Sequence, residues 1–380
     1  MNQFSFYFPV RIKFGIGIWE NLAEEALKFG RRFLLVTGKR HLKETGILEK
    51  IEKSFNNYQC ELFIYDKIPP EPPYYFVDEG AEIIENNNID AVIGIGGGSA
   101  LDIAKAIAVK CKLPDSIWNY IGADKIPKKG LPCILIPTTA GTGSEVTRVS
   151  VLINPETKEK LSIASDYLYP DVAIVDPYLT LTLPPDYTAY SGIDAFIHAL
   201  ESFLSLNNNL LTESISLKAI KLIYSYLPRV YKNGERIDLR EKILYASTFS
   251  GIALTLTGLG AIHALAHPVG VFGNLPHGLS TALVTLPVLE YNLEILSREK
   301  LMLLGRTLGI FSIRSAKERI LKKVKDLFDS LNIRLGLRNY NIKYEDLPLL
   351  AKEGLKSRSI KTNPREIREE ILLNLLQKAW

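Results

Sequence analysis

Residues 91–110 read AVIGIGGGSALDIAKAIAVK. Ala91 to Ile95 is a short apolar run of the kind found in strands buried on both faces, and Gly96-Gly97-Gly98-Ser99 ends it. Ala100 to about Lys110 then has the spacing of an amphipathic helix. A glycine loop between the C-terminal end of a strand and the N-terminus of a helix offers bare N–H groups and the positive end of a helix dipole, a pattern suited to phosphate. It departs from the standard dinucleotide fingerprint. Gly94 and Gly96 match the first two glycines, Ser99 stands where the third belongs, and no acid ends a strand about 20 residues further on. A tight turn required only for packing would use the same glycines.

Working outward, the same alternation of strand and helix recurs. Phe6 to Phe14 alternates as a half-buried strand would, followed by a helix from Trp19 to Phe29, a buried strand from Phe33 to Val36, a helix from Thr45 to Phe55 and a strand from Glu61 to Tyr65. Ile68 to Pro73 is a proline-rich turn leading to a helix from about Phe76 to Asn87. Pro132 to Ile136 reads as a strand running into PTTAGTGSEVT, residues 137–147, where Thr138, Thr139, Thr142 and Ser144 alternate with glycines. Such a dense set of small hydroxyl donors after a buried strand suits a pyrophosphate, a ribose or a nicotinamide amide. Val172 to Val175 is the last expected strand. The pattern predicts an α/β domain with a parallel, Rossmann-like sheet covered on both sides. Beyond the Pro184-Pro185 hinge the sequence carries helical periodicity alone, at Thr188–Ser205, Leu211–Tyr226, Leu239–Thr255, Ile262–Val271, Thr281–Leu296, Glu299–Leu308 and nearer the C-terminus. The expected division is therefore an α/β domain over residues 1–182 and an all-helical domain over 183–380.

The helical half contains LTLTGLGAIHALAHPVGVFGNLPHGL, residues 254–279, with three of the five histidines: His263, His267 and His277. A fourth, His198, follows Asp194 by four residues, and residues four apart share a helical face. A lone histidine among apolar residues is usually a hydrogen-bonded core residue. Four together, with Ala261, Ile262, Ala264, Leu265 and Ala266 offering His263 and His267 few local partners, need something else to satisfy them. Imidazoles with a carboxylate and no cysteine suit Fe(II) or Zn(II) rather than calcium or magnesium. Spacing alone leaves open which of His263, His267 and His277 are ligands.

The 380 residues are 47% hydrophobic, enough for two cores, and the net charge of +4 is spread among interspersed acids and bases. That distribution provides no basic stripe for nucleic acid. Cys60, Cys111 and Cys133 are scattered and odd in number, which argues against a disulfide framework and fits a reducing cytoplasm. No apolar run reaches the ~20 residues that span a bilayer, and Pro9, Arg11, Lys13 and Glu20 break up anything resembling a secretory leader.

GGGSALDIAKA, IPTTAGTGSEVT, VDPYLTLTLPP, GIDAFIHALESF, HALAHPVGVFGNLPHG and the late TNPREI at 362–367 together resemble the iron-containing (group III) alcohol dehydrogenase family, in the family's order and over nearly the whole chain. The resemblance implies a dehydroquinate synthase-like fold, a dinucleotide-binding domain and a helical metal domain with the active site between them. It also implies assembly into dimers or larger homo-oligomers. The metal ligands it implies are Asp194, His198, His263 and His277, with His267 beside them and not a ligand. Gly97, Gly98, Ser99, Asp102, Thr138, Thr139 and Lys160 fall at positions that contact the cofactor in relatives. This chain departs from the family at two places: Thr37-Gly38-Lys39-Arg40 stands where many NAD-using members have an aspartate, and Glu71 where many have an asparagine.

The expected activity is an NAD(P)-linked, metal-dependent alcohol dehydrogenase or aldehyde reductase for a small-molecule substrate, with the metal polarising the substrate oxygen and His267 helping to move the alcohol proton or to position the nicotinamide. A glycerol or glycerol-phosphate dehydrogenase and a dehydroquinate synthase-like lyase are the alternatives. NADP is expected over NAD, because no acid follows Val36 before Glu44, Gly38 leaves room for a 2'-phosphate and Lys39 or Arg40 supplies charge.

Overall fold

The aliphatic runs around residues 34, 92 and 135 are inaccessible to solvent on both faces, which only a sheet layered between helices achieves. In the computed structural model, which describes residues 4–157 and 159–380, they form the centre of a six-stranded parallel sheet. Its strands are β1 (Arg11–Phe14), β2 (Arg32–Gly38), β3 (Glu61–Ile68), β4 (Ala91–Gly96), β6 (Cys133–Pro137) and β9 (Val172–Val175). Their order across the sheet is β1-β9-β6-β4-β2-β3. A second, three-stranded sheet holds β5 (Gly122–Ala123), β7 (Val149–Asn154) and β8 (Glu159–Ala164). Helices α1 (Leu22–Ala26), α2 (His41–Glu44), α3 (Ile47–Asn57), α4 (Tyr75–Asn87) and α5 (Gly98–Lys110) complete this part of the chain. One apolar cluster joins α4 and α5 to one face of the six-stranded sheet, and another joins α1 and α3 to the opposite face. The parallel, two-faced sheet expected from sequence is what forms.

Some details differ from the sequence reading. Phe6 to Val10 is not a strand; the ladder begins only at Arg11, opposite Val172, and Phe4, Phe6 and Tyr7 are exposed. The Trp19–Phe29 helix is a short 3-10 turn at Ile18–Asn21 followed by α1. The antiparallel pair β7–β8 was not expected. In β7 the buried side chains are Ser150, Leu152 and Asn154, whereas Val149, Val151 and Ile153 are only partly covered, so polarity and burial run out of phase there. Thr37 and Gly38 belong to β2 itself, with Gly38 paired to Ile68 after a register irregularity.

The chain divides into two compact units: Phe8–Thr139 with Gly143–Leu181, and Thr182–Trp380 with Ala140–Thr142 and the piece ending at Tyr7. The second contains α6 (Pro185–Leu204), α7 (Leu210–Lys232), α8 (Ile237–Thr257), α9 (Ala261–Gly273), α10 (His277–Leu293), α11 (Arg298–Thr307), α12 (Ala316–Ser330), α13 (Leu347–Leu355) and α14 (Glu369–Ala379). Strands are absent from its described residues. No single helix among the described residues is long and apolar enough to cross a membrane.

Candidate active site

Three helices deliver the histidines. Asp194 and His198 lie one turn apart on α6, which starts at Pro185, a position where a missing N–H costs nothing. Gly258 ends α8 with φ +72, and the chain turns by 108° into α9, which carries His263 and His267. A Cβ at Gly258 would also meet Thr362 Oγ1 at 2.9 Å, so the turn depends on glycine. The helix expected from Thr281 starts a turn earlier, at His277 directly after Pro276. Gly278 then packs so tightly on α6 that a Cβ there would lie 1.9 Å from the Tyr190 carbonyl oxygen. That approach brings His277 to Asp194.

Three imidazole nitrogens converge on one carboxylate oxygen. Asp194 Oδ1 lies 3.6 Å from His198 Nε2, 3.4 Å from His263 Nε2 and 3.5 Å from His277 Nε2. Donors of Asp194, His263 and His277 are mutually within 4.8 Å. His198 lies outside that mutual group, yet its ring stacks on His263 with centroids 4.6 Å apart and 11° between planes. His267 is part-buried, its ring 5.3 Å from that of His277, and it is not in the group either. Two donors each ~2.1 Å from a tetrahedral ion stand roughly 3.4 Å apart, so the observed separations fit a divalent ion.

Electrostatics favour the same occupant. Burial would raise the Asp194 carboxyl, but His198, His277 and His263 outweigh it and hold it well below the usual carboxylate range. His198 is pushed down to about 4, burial exceeding the pull of Asp194, and its Nδ1 is buried without a hydrogen-bond partner. His263 is the reverse: burial alone would lower it, yet hydrogen bonds to Asp194 and Glu201 lift it to about 9. Without an ion, a proton on His263 is what balances two buried carboxylates. A dication could replace that proton and also draw on the Nε2 atoms of His198 and His277.

Glu201 is the functional residue that the sequence reading does not single out. It is buried, and its Oε2 is 2.6 Å from His263 Nδ1. The signal for it lies in the spacing, because Asp194, His198 and Glu201 occupy positions i, i+4 and i+7 of one helical face.

The α/β unit presents the other group of expected residues. The strand order reverses between β2 and β4, so the loops after these two neighbours lie at the switch point where open parallel sheets bind ligands. After β4, α5 starts at Gly98 with Gly97 as an N-cap that has no side-chain cap, and Gly96 has φ +155. Gly97, Gly98, Ser99 and Thr139 are part-buried; Thr138 is buried and donates its N–H to the Gly96 carbonyl at 2.9 Å. Thr142 clusters with the helical unit.

Asp102 is engaged within the protein. Its carboxylate accepts from Ser144 Oγ and from the Val151 N–H at 2.9 Å, and lies 3.3 Å from Lys105 Nζ. Lys105 is wholly buried and donates to the Ser144 carbonyl at 2.9 Å, to Thr147 Oγ1 at 3.1 Å and to the Val149 carbonyl. Together these two side chains fasten the hydroxyl-rich loop to α5. Lys160 on β8 is ion-paired with Glu71 at 2.6 Å, and Glu71, in the left-handed region at φ 51, donates its N–H to Ser99 Oγ at 3.2 Å. At the end of β2, Lys39 and Arg40 are exposed, with no ion-pair partner among the described residues. A Cβ on Gly38 would meet only the Ile68 carbonyl oxygen, at 3.6 Å.

Residues 9–177 match the family described as iron-containing alcohol dehydrogenase, and 188–380 match the C-terminal domain of that family. The chain is 31% identical over 379 residues to the NAD-dependent methanol dehydrogenase of Bacillus methanolicus, covering 99% of each. It is 33% identical to the sulfoacetaldehyde reductase of Bilophila wadsworthia, covering 98% of each. A solved 1,3-propanediol oxidoreductase superposes with a TM-score of 0.95 at 30% identity, covering 100% of both chains.

Proposed function

Since the chain belongs to the iron-containing alcohol dehydrogenase family, we propose that Asp194, His198, His263 and His277 hold its divalent metal and that the loops after β2, β4 and β6 hold its dinucleotide. The protein is an oxidoreductase acting on CH–OH groups, an alcohol dehydrogenase or aldehyde reductase linked to a nicotinamide cofactor. The relatives are named for redox of small alcohols and aldehydes, which does not favour the glycerol-phosphate or lyase alternatives. The observation carrying the metal assignment is the convergence of three Nε2 atoms on Asp194 Oδ1.

Bound there, Fe(II) or Zn(II) supplies Lewis acidity toward the substrate oxygen, and the nicotinamide supplies the hydride acceptor. Oxidation of CH–OH to C=O also releases the hydroxyl proton, which needs a route away from the carbon being oxidised. His267, beside His277 and not fully buried, is the side chain we assign to that route or to seating the nicotinamide ring. Gly97, Gly98 and Ser99 at the uncapped start of α5, with Thr138, Thr139 and Thr142, would hold the pyrophosphate and adjacent ribose. Asp102 acts on the cofactor through Ser144 and the loop it fastens. Lys160 would meet the cofactor as half of an ion pair with Glu71.

NADP is the preferred cofactor in this reading, supported by exposed Lys39 and Arg40 and by the space at Gly38. A relative is named NAD-dependent, so this reading would set the chain apart from that relative. Three free cysteines support a reducing compartment such as the cytoplasm. The exposed Phe4 and Phe6 support assembly into a homo-oligomer, which sedimentation would measure. Nicotinamide absorbance recorded with a panel of small alcohols and aldehydes, after loading Fe(II) or Zn(II), tests the function. Metal-dependent reduction or oxidation of the nicotinamide is expected; turnover without change in absorbance would overturn it.

A further inference from the structure

The four proposed ligands do not account for the most elaborate polar arrangement in the helical unit. Glu201, one turn beyond His198 on α6, is 3% exposed and uses both carboxylate oxygens on α9. Oε2 meets His263 Nδ1 at 2.6 Å, and Oε1 accepts the Ile262 N–H at 2.7 Å. The adjacent N–H, that of Ala261, is taken by Asn363 Oδ1 at 3.1 Å. Asn363 is itself clasped by Asn292 of α10 through two reciprocal side-chain amide hydrogen bonds of 3.0 Å each. Gly260 makes the approach possible, because a Cβ there would lie 2.8 Å from Glu201 Oε1 and 2.9 Å from Asn363 Oδ1. The first turn of α9, with no cap of its own, is thus capped from α6 and from Asn363, which α10 holds.

We infer that Glu201 is a positioning residue for the metal site: by accepting the Nδ1 proton of His263 it leaves Nε2, beside Asp194 Oδ1, as the nitrogen that can bind an ion. The inference rests on the ligand set proposed above. An imidazole has two nitrogens and one rotatable ring; fixing one nitrogen by a carboxylate sets both the tautomer and the ring plane of the other. Here the same carboxylate also fixes the backbone one residue before the histidine, at Ile262. The Asn363–Asn292 pair ties that turn to the helix that carries His277, so α6, α9 and α10 are registered through one buried network.

The test is a chelator competition for Co(II) or Zn(II) on the full chain, comparing wild type with Glu201→Gln and Glu201→Asp, together with the visible spectrum of the Co(II) forms. Glu201→Gln preserves shape but not charge, and Glu201→Asp preserves charge but is too short to reach both the imidazole and the Ile262 N–H. Each should bind the ion about 10- to 100-fold more weakly. The Co(II) bands should shift, with affinity and spectra compared well below the melting temperature of each metal-free variant, since losing part of the α9 cap lowers that temperature as well. Unchanged affinity and an unchanged Co(II) spectrum in both variants would show that Glu201 only caps α9, and overturn the inference. Wild-type protein that takes up no ion would instead remove the ligand set on which the inference stands.

Discussion

The histidine cluster of the helical unit and the glycine and hydroxyl loops of the α/β unit are built in opposite ways. In the first, the groups that matter are side chains on helices, three imidazole nitrogens around one carboxylate oxygen. In the second, the proposed receptive groups are backbone N–H groups and small hydroxyls, and the charged side chains of part-buried Asp102 and buried Lys105 hold the loop. The lesson is that a charged residue near a candidate binding loop can be engaged by the protein itself. Asp102 and Lys160, both expected against the cofactor, are bonded to other residues of the protein first.

Substitutions that separate the two constructions should differ in kind. The largest effect short of losing a ligand is expected at His267: His267→Ala should retain its metal and lose roughly 10²- to 10⁴-fold in kcat, measured by steady-state turnover beside metal analysis. Loss of metal in that variant would exchange its role with that of His277. On the other side, Lys105→Met removes a buried cation that donates to the carbonyls of Ser144 and Val149 and pairs with the Asp102 carboxylate. It should cost about 3 kcal/mol of unfolding free energy in denaturant titration while metal content stays at the wild-type level. A wild-type midpoint would mean the loop is held by something else.

The difference in construction also explains what the sequence makes legible. The i, i+4 spacing of Asp194 and His198, and of His263 and His267, projects directly onto helical faces, so the residue pattern alone exposes the cluster. Glu201 extends the same face but stays inconspicuous, because a buried acid on an apolar helix looks like any other solvated charge until its partner, 62 residues away, is known. His277 falls between the helices expected at Ile262–Val271 and Thr281–Leu296, whereas it is the first residue of α10, directly after Pro276. In the α/β unit the parallel strands are legible from apolar runs alone. The β7–β8 pair is not, because Ser150 and Asn154 point inward and the valines beside them face partly outward, inverting the alternation that marks a strand. Phe6 to Val10 shows the opposite failure, an alternating pattern with no sheet partner to bury either side. The Glu71–Lys160 pair spans 89 positions and rests on a left-handed residue that is not glycine, which no local pattern announces.

Smaller effects sharpen the comparison at the cofactor end. Gly38→Asp, alone or with Lys39→Ala, fits the space at Gly38 and should move the ratio of kcat/KM for NADP over NAD toward NAD by about tenfold or more. An unmodified enzyme that already uses NAD at least as well would show that Lys39 and Arg40 are merely solvated. Glu71→Gln, which frees Lys160 from a partly exposed ion pair, should change the dinucleotide KM by no more than about fivefold and make it steeper in salt. A larger loss would assign Glu71 a direct hold on the cofactor.

The central claim is that one divalent ion sits among Asp194, His198, His263 and His277. The most direct test is the metal-to-chain ratio after Fe(II) or Zn(II) loading, measured on wild type and on His263→Ala and His277→Ala with their helical circular dichroism recorded alongside. Close to one ion per chain in the wild type and close to none in either variant, with the helical signal intact, is the predicted result; full occupancy in the variants would contradict it.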